Sequence, residues 1–93
     1  MFVRVVRFTD VTAERVESLI ARVDEGGPPP GVPIKRLQLV FDEAQGTAVV
    51  LQYFDSEESL RAGAETFAAM DPSETPGTRV SVDTGELKIE RQL

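Results

Sequence analysis

The 93-residue chain predicts an α+β fold in which a four-stranded antiparallel sheet carries two helices on one face. Three observations predict it. Thr47 to Phe54, TAVVLQYF, is dense in β-branched and aromatic residues and passes almost without a linker into a helical pattern. Of two further β-type runs, residues 2–8 carry few helix signals and residues 34–41 alternate at Leu37, Leu39 and Phe41. The elements then follow the order β-α-β-β-α-β, and no stretch of the sequence divides it into two domains, so one domain over 1–93 is expected.

Phe2 to Phe8, FVRVVRF, reads as the first strand. Thr12 then caps a helix to about Asp24, with Val16, Leu19, Ile20 and Val23 on one stripe and Glu14 at the N-terminal end of the dipole. Gly26-Gly27-Pro28-Pro29-Pro30-Gly31 is a stiff connector; it has neither the Lys-Ser/Thr ending of a P-loop nor GxGxxG spacing. Ile34 to Phe41, IKRLQLVF, is the second strand, and Asp42 to Gly46 has the length and the glycine of a hairpin turn into Thr47 to Phe54. Asp55 is the expected cap of the second helix, with Glu58 placed for a capping box, and Leu60, Gly63, Ala64, Phe67 and Ala68 form its buried stripe. A glycine in a helix interior costs about 1 kcal/mol relative to alanine, so Gly63 implies close approach to the sheet. Asp71-Pro72 stops that helix and Pro72 to Gly77 is a loop. Arg79 to Val82 opens the last strand, Asp83-Thr84-Gly85 marks a bulge or turn, and Glu86 to Leu93 alternates again with Leu87, Ile89, Arg91 and Leu93 on one face. This order is the ferredoxin-like split motif.

Composition narrows the chemistry. There is no cysteine and no histidine, which removes disulfides, thiolate nucleophiles, imidazole metal or haem ligation and a Ser-His-Asp triad. No cofactor and no metal is expected. Ten basic against sixteen acidic residues give a net charge of −6 without any Lys/Arg run, so nucleic acid is not an expected partner. No apolar stretch approaches the ~18 residues of a membrane span, and Met1 to Val6 lacks a signal-peptide core, so no membrane partner and a cytoplasmic location are expected.

Alternation assigns Val3, Val5, Leu37, Leu39, Phe41, Val49, Leu51, Val80 and Val82 to the helix side of the sheet, with Tyr53. Phe2, Arg4, Val6, Phe8, Arg36, Gln38, Val40, Val50, Gln52, Phe54, Arg79, Ser81 and Asp83 fall on the second face. Leaving its three Phe and three Val in water would forgo roughly 1.5 to 3 kcal/mol each. Its polar residues, however, require hydrogen-bond partners if buried. A homodimer with facing sheets and a partly polar interior meets both demands, and a domain this short gains stability by pairing.

Element order, this mixed second face, FDSEESLRAGAETFAAM after a central strand and the terminal TPGTRVSVDTGELKIERQL together resemble the dimeric α/β-barrel superfamily, which includes antibiotic-biosynthesis-monooxygenase-like and stress-responsive barrel proteins. The resemblance covers essentially the whole chain. It implies two ferredoxin-like subunits packed sheet to sheet, with Glu86 to Leu93 reaching the partner. The activities it implies range from cofactor-independent oxygenation through haem chemistry to lactone isomerisation. The chain departs from this pattern in having no histidine for haem and no tryptophan of the kind that often lines an oxygenase pocket.

Arg4, Arg36, Gln38 and Gln52 are the candidate ligand contacts. The two arginines suit bidentate binding of an anion, or pairing with Asp83 or Glu90; the two glutamines suit orientation of a ligand or of water. Tyr53, the single tyrosine, is either a proton donor or a packing residue, while Asp42-Glu43 and Glu57-Glu58 are explained by a turn and a helix start. Three functions remain: a homodimeric barrel binding a small, partly apolar molecule in its interior between the two sheets; a cofactor-independent monooxygenase or isomerase acting on a quinone-like or lactone-like substrate in the same cavity; and a purely structural assembly domain.

Overall fold

The computed structural model describes residues 1–27, 32–70 and 74–93. Its elements are β1 (Phe2–Thr9), α1 (Ala13–Gly26), β2 (Ile34–Asp42), β3 (Thr47–Phe54), α2 (Glu57–Ala68) and β4 (Thr78–Glu86). They form one antiparallel sheet in the order β2-β3-β1-β4, with two helices, as the sequence predicts for a ferredoxin-like α+β fold. The triple-proline part of the first connector and the Asp71-Pro72 stop lie outside the described residues. No described helix is long and apolar enough to cross a membrane.

Local chemistry sets the ends of the elements. The Thr12 side chain accepts the Arg15 amide at 3.2 Å, and α1 closes at Gly27, whose φ of 69° is the left-handed geometry that glycine adopts without strain. On α1 Val16 is buried and Leu19 and Val23 half-buried, but Ile20 is 49% exposed, so the stripe is narrower than the sequence suggests. The cap of α2 is Ser56 rather than Asp55. Its hydroxyl accepts the Ser59 amide at 3.1 Å, and Glu57 and Glu58 then fall in the first turn, where the helix dipole favours them. Asp55 instead pairs with Lys35 at 3.5 Å. In the hairpin, the Asp42 carboxylate accepts the Gln45 amide at 3.1 Å and Gly46 takes a φ of 67°.

Register reverses the expected faces of the two central strands. Arg4 lies opposite Gln52, Val6 opposite Val50 and Phe8 opposite Ala48, and these residues are buried under the helices. Val3, Val5, Val49, Leu51 and Tyr53 point to the open side. The helix-side assignment holds for Leu39 and Phe41 of β2, which pack on that core, and for Val82, which lies opposite Val6. The physical reason is size. Phe2, Phe8 and Phe54 share one parity and have more surface to bury than the valines of the other, and a strand's period of two carries Arg4 and Gln52 inward with them.

The core has two patches. Val6, Phe8, Val11, Val16, Ala48 and Val50 meet beneath α1; Val32, Phe54 and Leu60 meet beneath α2, with Phe2, Ile34 and Phe67 at their margin. Gly63 sets the approach of α2, since a Cβ there would stand 2.6 Å from the ring of Phe54, which is completely buried.

The C-terminal expectations need correction. Asp83-Thr84-Gly85 lies within a continuous β4, and the irregularity comes earlier, where Arg7 pairs with Ser81 but Phe8 with Arg79, so Val80 is skipped. Residues 87–93 form no strand. Pairing ends at Phe2 with Glu86 because β1 ends there, and one hydrogen bond from the Leu87 amide to the Met1 carbonyl, at 2.8 Å, follows. Ile89 and Leu93 are exposed.

Candidate functional site

The most unusual group in the molecule is Arg4, buried in the middle of β1 with 4% of its surface exposed. Its Nη1 donates to Gln52 Oε1 at 2.8 Å across the β1–β3 pair, and its guanidinium carbon stands 5.4 Å from the centre of the Phe67 ring on α2. This is its single hydrogen bond among the described residues, and Nε is buried without a partner. No carboxylate among the described residues pairs with it. Burial, and secondarily the positive charge of Arg79, push its pKa below the usual guanidinium value. An ionised side chain is therefore held in a desolvated place without a counter-ion among the described residues.

Arg4 forms part of the wall of a cleft of about 370 Å³ between α2 and β4. Small residues make the space: Ala64 and Ala68 line it from α2. From β4 come Arg79 and Val80 at the irregular end and Val82 and Thr84 further along, Thr84 lying directly opposite Arg4 in the ladder. The cleft exists because α2 packs over β1, β2 and β3 and leaves β4, every residue of which is exposed, largely uncovered. Its chemistry is a strong, rigid donor at the base, a second cation at the rim, a hydroxyl and a small apolar wall. Such a site can hold and orient an anion or a polarised oxygen. Among the described residues, none that lines it is a carboxylate, histidine, cysteine or tyrosine able to move a proton.

A second hollow, of about 260 Å³, lies beside α1, but its arginines are already engaged: Arg15 donates to the Thr75 carbonyl at 2.7 Å and Arg22 to that of Glu74 at 3.4 Å.

The four side chains singled out from the sequence divide into two pairs on opposite sides of the sheet. Arg4 and Gln52 meet under the helices. Arg36 and Gln38 lie on the open face, where the Tyr53 hydroxyl donates to Gln38 Oε1 at 2.7 Å and Arg36 stands 5.5 Å from the centre of the Tyr53 ring. Arg36 also pairs with Glu90 at 3.5 Å, the outcome foreseen for it as an alternative to ligand binding; with both partners largely exposed, this pair is weak. Around them Val3, Val5, Val49 and Leu51 are half-buried and Val40 is 61% exposed, an apolar field on the side away from the helices. Sequence reasoning missed Phe67, Thr84 and Ala64 as neighbours of Arg4 and put Arg79 on the second face with it. The stripe of small residues on α2, read as core, was the available signal for a cleft.

No protein-family model matches the chain, and no curated protein matches it either. Among solved structures it is similar to a candidate antibiotic biosynthesis monooxygenase from Chloroflexus aurantiacus J-10-fl, at 15% identity over 98% of this chain and 96% of the other, with a TM-score of 0.59. A second candidate antibiotic biosynthesis monooxygenase, from Deinococcus radiodurans, is 10% identical over 100% and 98% of the two chains, also with a TM-score of 0.59. A mutant of MhuD with two manganese protoporphyrin IX bound per active site is 16% identical over 100% and 98%, with a TM-score of 0.56. At these identities the likeness is one of fold: the chain has the ferredoxin-like fold of antibiotic biosynthesis monooxygenase-like proteins.

Proposed function

We propose that this protein is a homodimer that binds a small, partly apolar molecule in the cleft between α2 and β4 of each subunit. The observation that carries the proposal is Arg4, a buried cation at the base of an open cleft, hydrogen-bonded only to Gln52 among the described residues. Buried charges are ordinarily paired, and keeping this one unpaired lowers stability by an amount that a bound partner recovers. The ligand contacts expected from the sequence are thereby reduced to Arg4, held by Gln52. Arg36 and Gln38 belong to the pairing surface, where a second copy would cover Val3, Val5, Val40, Val49 and Leu51. Each of these aliphatic side chains is worth roughly 1.5 to 3 kcal/mol when fully buried.

The metalloporphyrin of the MhuD structure does not fit this chain. There is no histidine or cysteine anywhere in the sequence, and no lining residue of the cleft is an axial ligand. The enzymatic alternative, cofactor-independent oxygenation or isomerisation of a quinone-like or lactone-like substrate, draws support from the two neighbours named as candidate monooxygenases. It stands second because no carboxylate, imidazole, thiol or phenol lines the cleft among the described residues. Two measurements test the proposal. Sedimentation at micromolar concentration is expected to give a dimer, and a stable monomer overturns the pairing. A thermal-shift panel of small aromatic and aliphatic compounds is expected to raise Tm through binding at Arg4, and oxygen uptake with added quinols would move the enzymatic reading to first place.

A further inference from the structure

We infer that the molecule held in this cleft is an organic carboxylate, which supplies the counter-charge to the Arg4 guanidinium while its apolar body lies along α2. The inference rests on the cleft being the binding site and adds the charge and shape of what enters it.

A guanidinium offers five N–H donors in one plane, and carboxylates take them in parallel pairs, either from the two terminal nitrogens or from Nε with one of them. Here Nη1 is occupied by Gln52 Oε1. Nε has no partner among the described residues but is sealed from the cleft, so the donors left for an entering group are those of the terminal nitrogens that Gln52 does not use. The Phe67 ring lies 5.4 Å from the guanidinium carbon, so a stacked approach on that side is blocked and an in-plane one remains. A singly charged acceptor group is complementary to what is left; a neutral carbonyl can take a hydrogen bond there but leaves the charge uncompensated. Arg79 adds positive potential at the rim. Burial of Arg4 and the proximity of Arg79 both weaken the guanidinium's hold on its proton, and an anion reverses that effect. Ala64, Ala68 and Val82 offer the rest of the ligand an apolar surface without further charge.

The test uses two probes of equal shape, naphthalene-2-carboxylate and the neutral 2-naphthamide, titrated calorimetrically into the full chain. The carboxylate is expected to bind about tenfold to a hundredfold more tightly than the amide, the span that charge-assisted hydrogen bonds support. Arg4→Gln is expected to bring that ratio to about one. Gln52→Glu does so by a different route, because it supplies the guanidinium with an internal carboxylate; it is expected to raise Tm while abolishing the preference for the anion, a combination that misfolding cannot produce. Equal affinity of the two probes for the native chain overturns the carboxylate assignment and leaves the cleft as a binding site. A preference that survives unchanged in Gln52→Glu also overturns it. Failure of both probes to bind at millimolar concentration overturns the binding reading itself.

Discussion

Replacing Gly63 by alanine tests how closely the position of α2 is fixed. A methyl at this site would stand 2.6 and 2.8 Å from two ring carbons of Phe54, and ordinary contact begins at 3.4 Å, so helix and ring must separate by about 0.8 Å. Phe54 has no exposed surface into which to retreat. Overpacking of this kind costs roughly 1 to 3 kcal/mol, whereas alanine's better helix propensity returns about 1 kcal/mol. A net loss of about 1 kcal/mol follows, corresponding to a Tm lower by about 4 to 8 °C for a domain of this size. Gly26→Ala is the control: it also lies in a helix, but nothing is within 4 Å of its added methyl, and it is expected to leave Tm unchanged or raise it. Differential scanning calorimetry of the two variants decides the matter. A Gly63→Ala protein as stable as the native chain would refute the claim that Gly63 sets the helix-to-sheet distance, and with it the account of what holds Ala64 and Ala68 at the cleft.

Gln52→Leu removes the acceptor from Arg4 and is expected to lower stability by about 1.5 to 3 kcal/mol, seen as a lower urea midpoint at unchanged slope; no change would mean that the buried bond contributes nothing. Leu51→Lys places a charge at the centre of the open face and is expected to shift the sedimenting species from dimer to monomer while preserving circular dichroism; an unaltered dimer would place the interface elsewhere. The Lys88 ammonium, by hydrogen bond and by charge, holds the Glu86 carboxyl below its ordinary value. The stability this pair contributes is present above the unfolded carboxyl pKa and lost as pH falls through the folded one. Being exposed, it should fade with salt. A carbon-detected titration is expected to show Glu86 titrating below the ordinary carboxyl value, and Lys88→Ala to raise it.

The elements were readable because each rests on local chemistry: branched runs for β1 and β3, the Thr12 cap, the glycine turn at Gly46. Which face β1 and β3 bury was not, since both carry apolar residues at both parities and polarity alone sends Arg4 outward, whereas the stricter alternation of β2 placed Leu39 and Phe41 correctly. The decision was made by phenylalanine volume, a property of packing against α1 and α2 rather than of alternation. The tail misled for a related reason. Leu87, Ile89 and Leu93 alternate as a strand does, but a strand needs a neighbour and β1 has ended by Phe2. The site was legible only in its parts. Arg4 and Gln52 stood out as polar residues in apolar runs, yet their pairing with each other and the separation of Arg36 and Gln38 from them depend on register.

β4 is secured by the β1 ladder alone and buries none of its nine residues. Little apolar contact is therefore lost when it detaches, and its amides belong to the fast end of hydrogen exchange. The strand that supplies one wall of the cleft is thus the element whose displacement costs least. The same looseness makes occupancy observable at a distance from the ligand: anything bridging α2 and β4 ties down the outermost strand. Slowed deuterium uptake in β4, against an unchanged β2 at the opposite edge, would be the signature of a filled cleft.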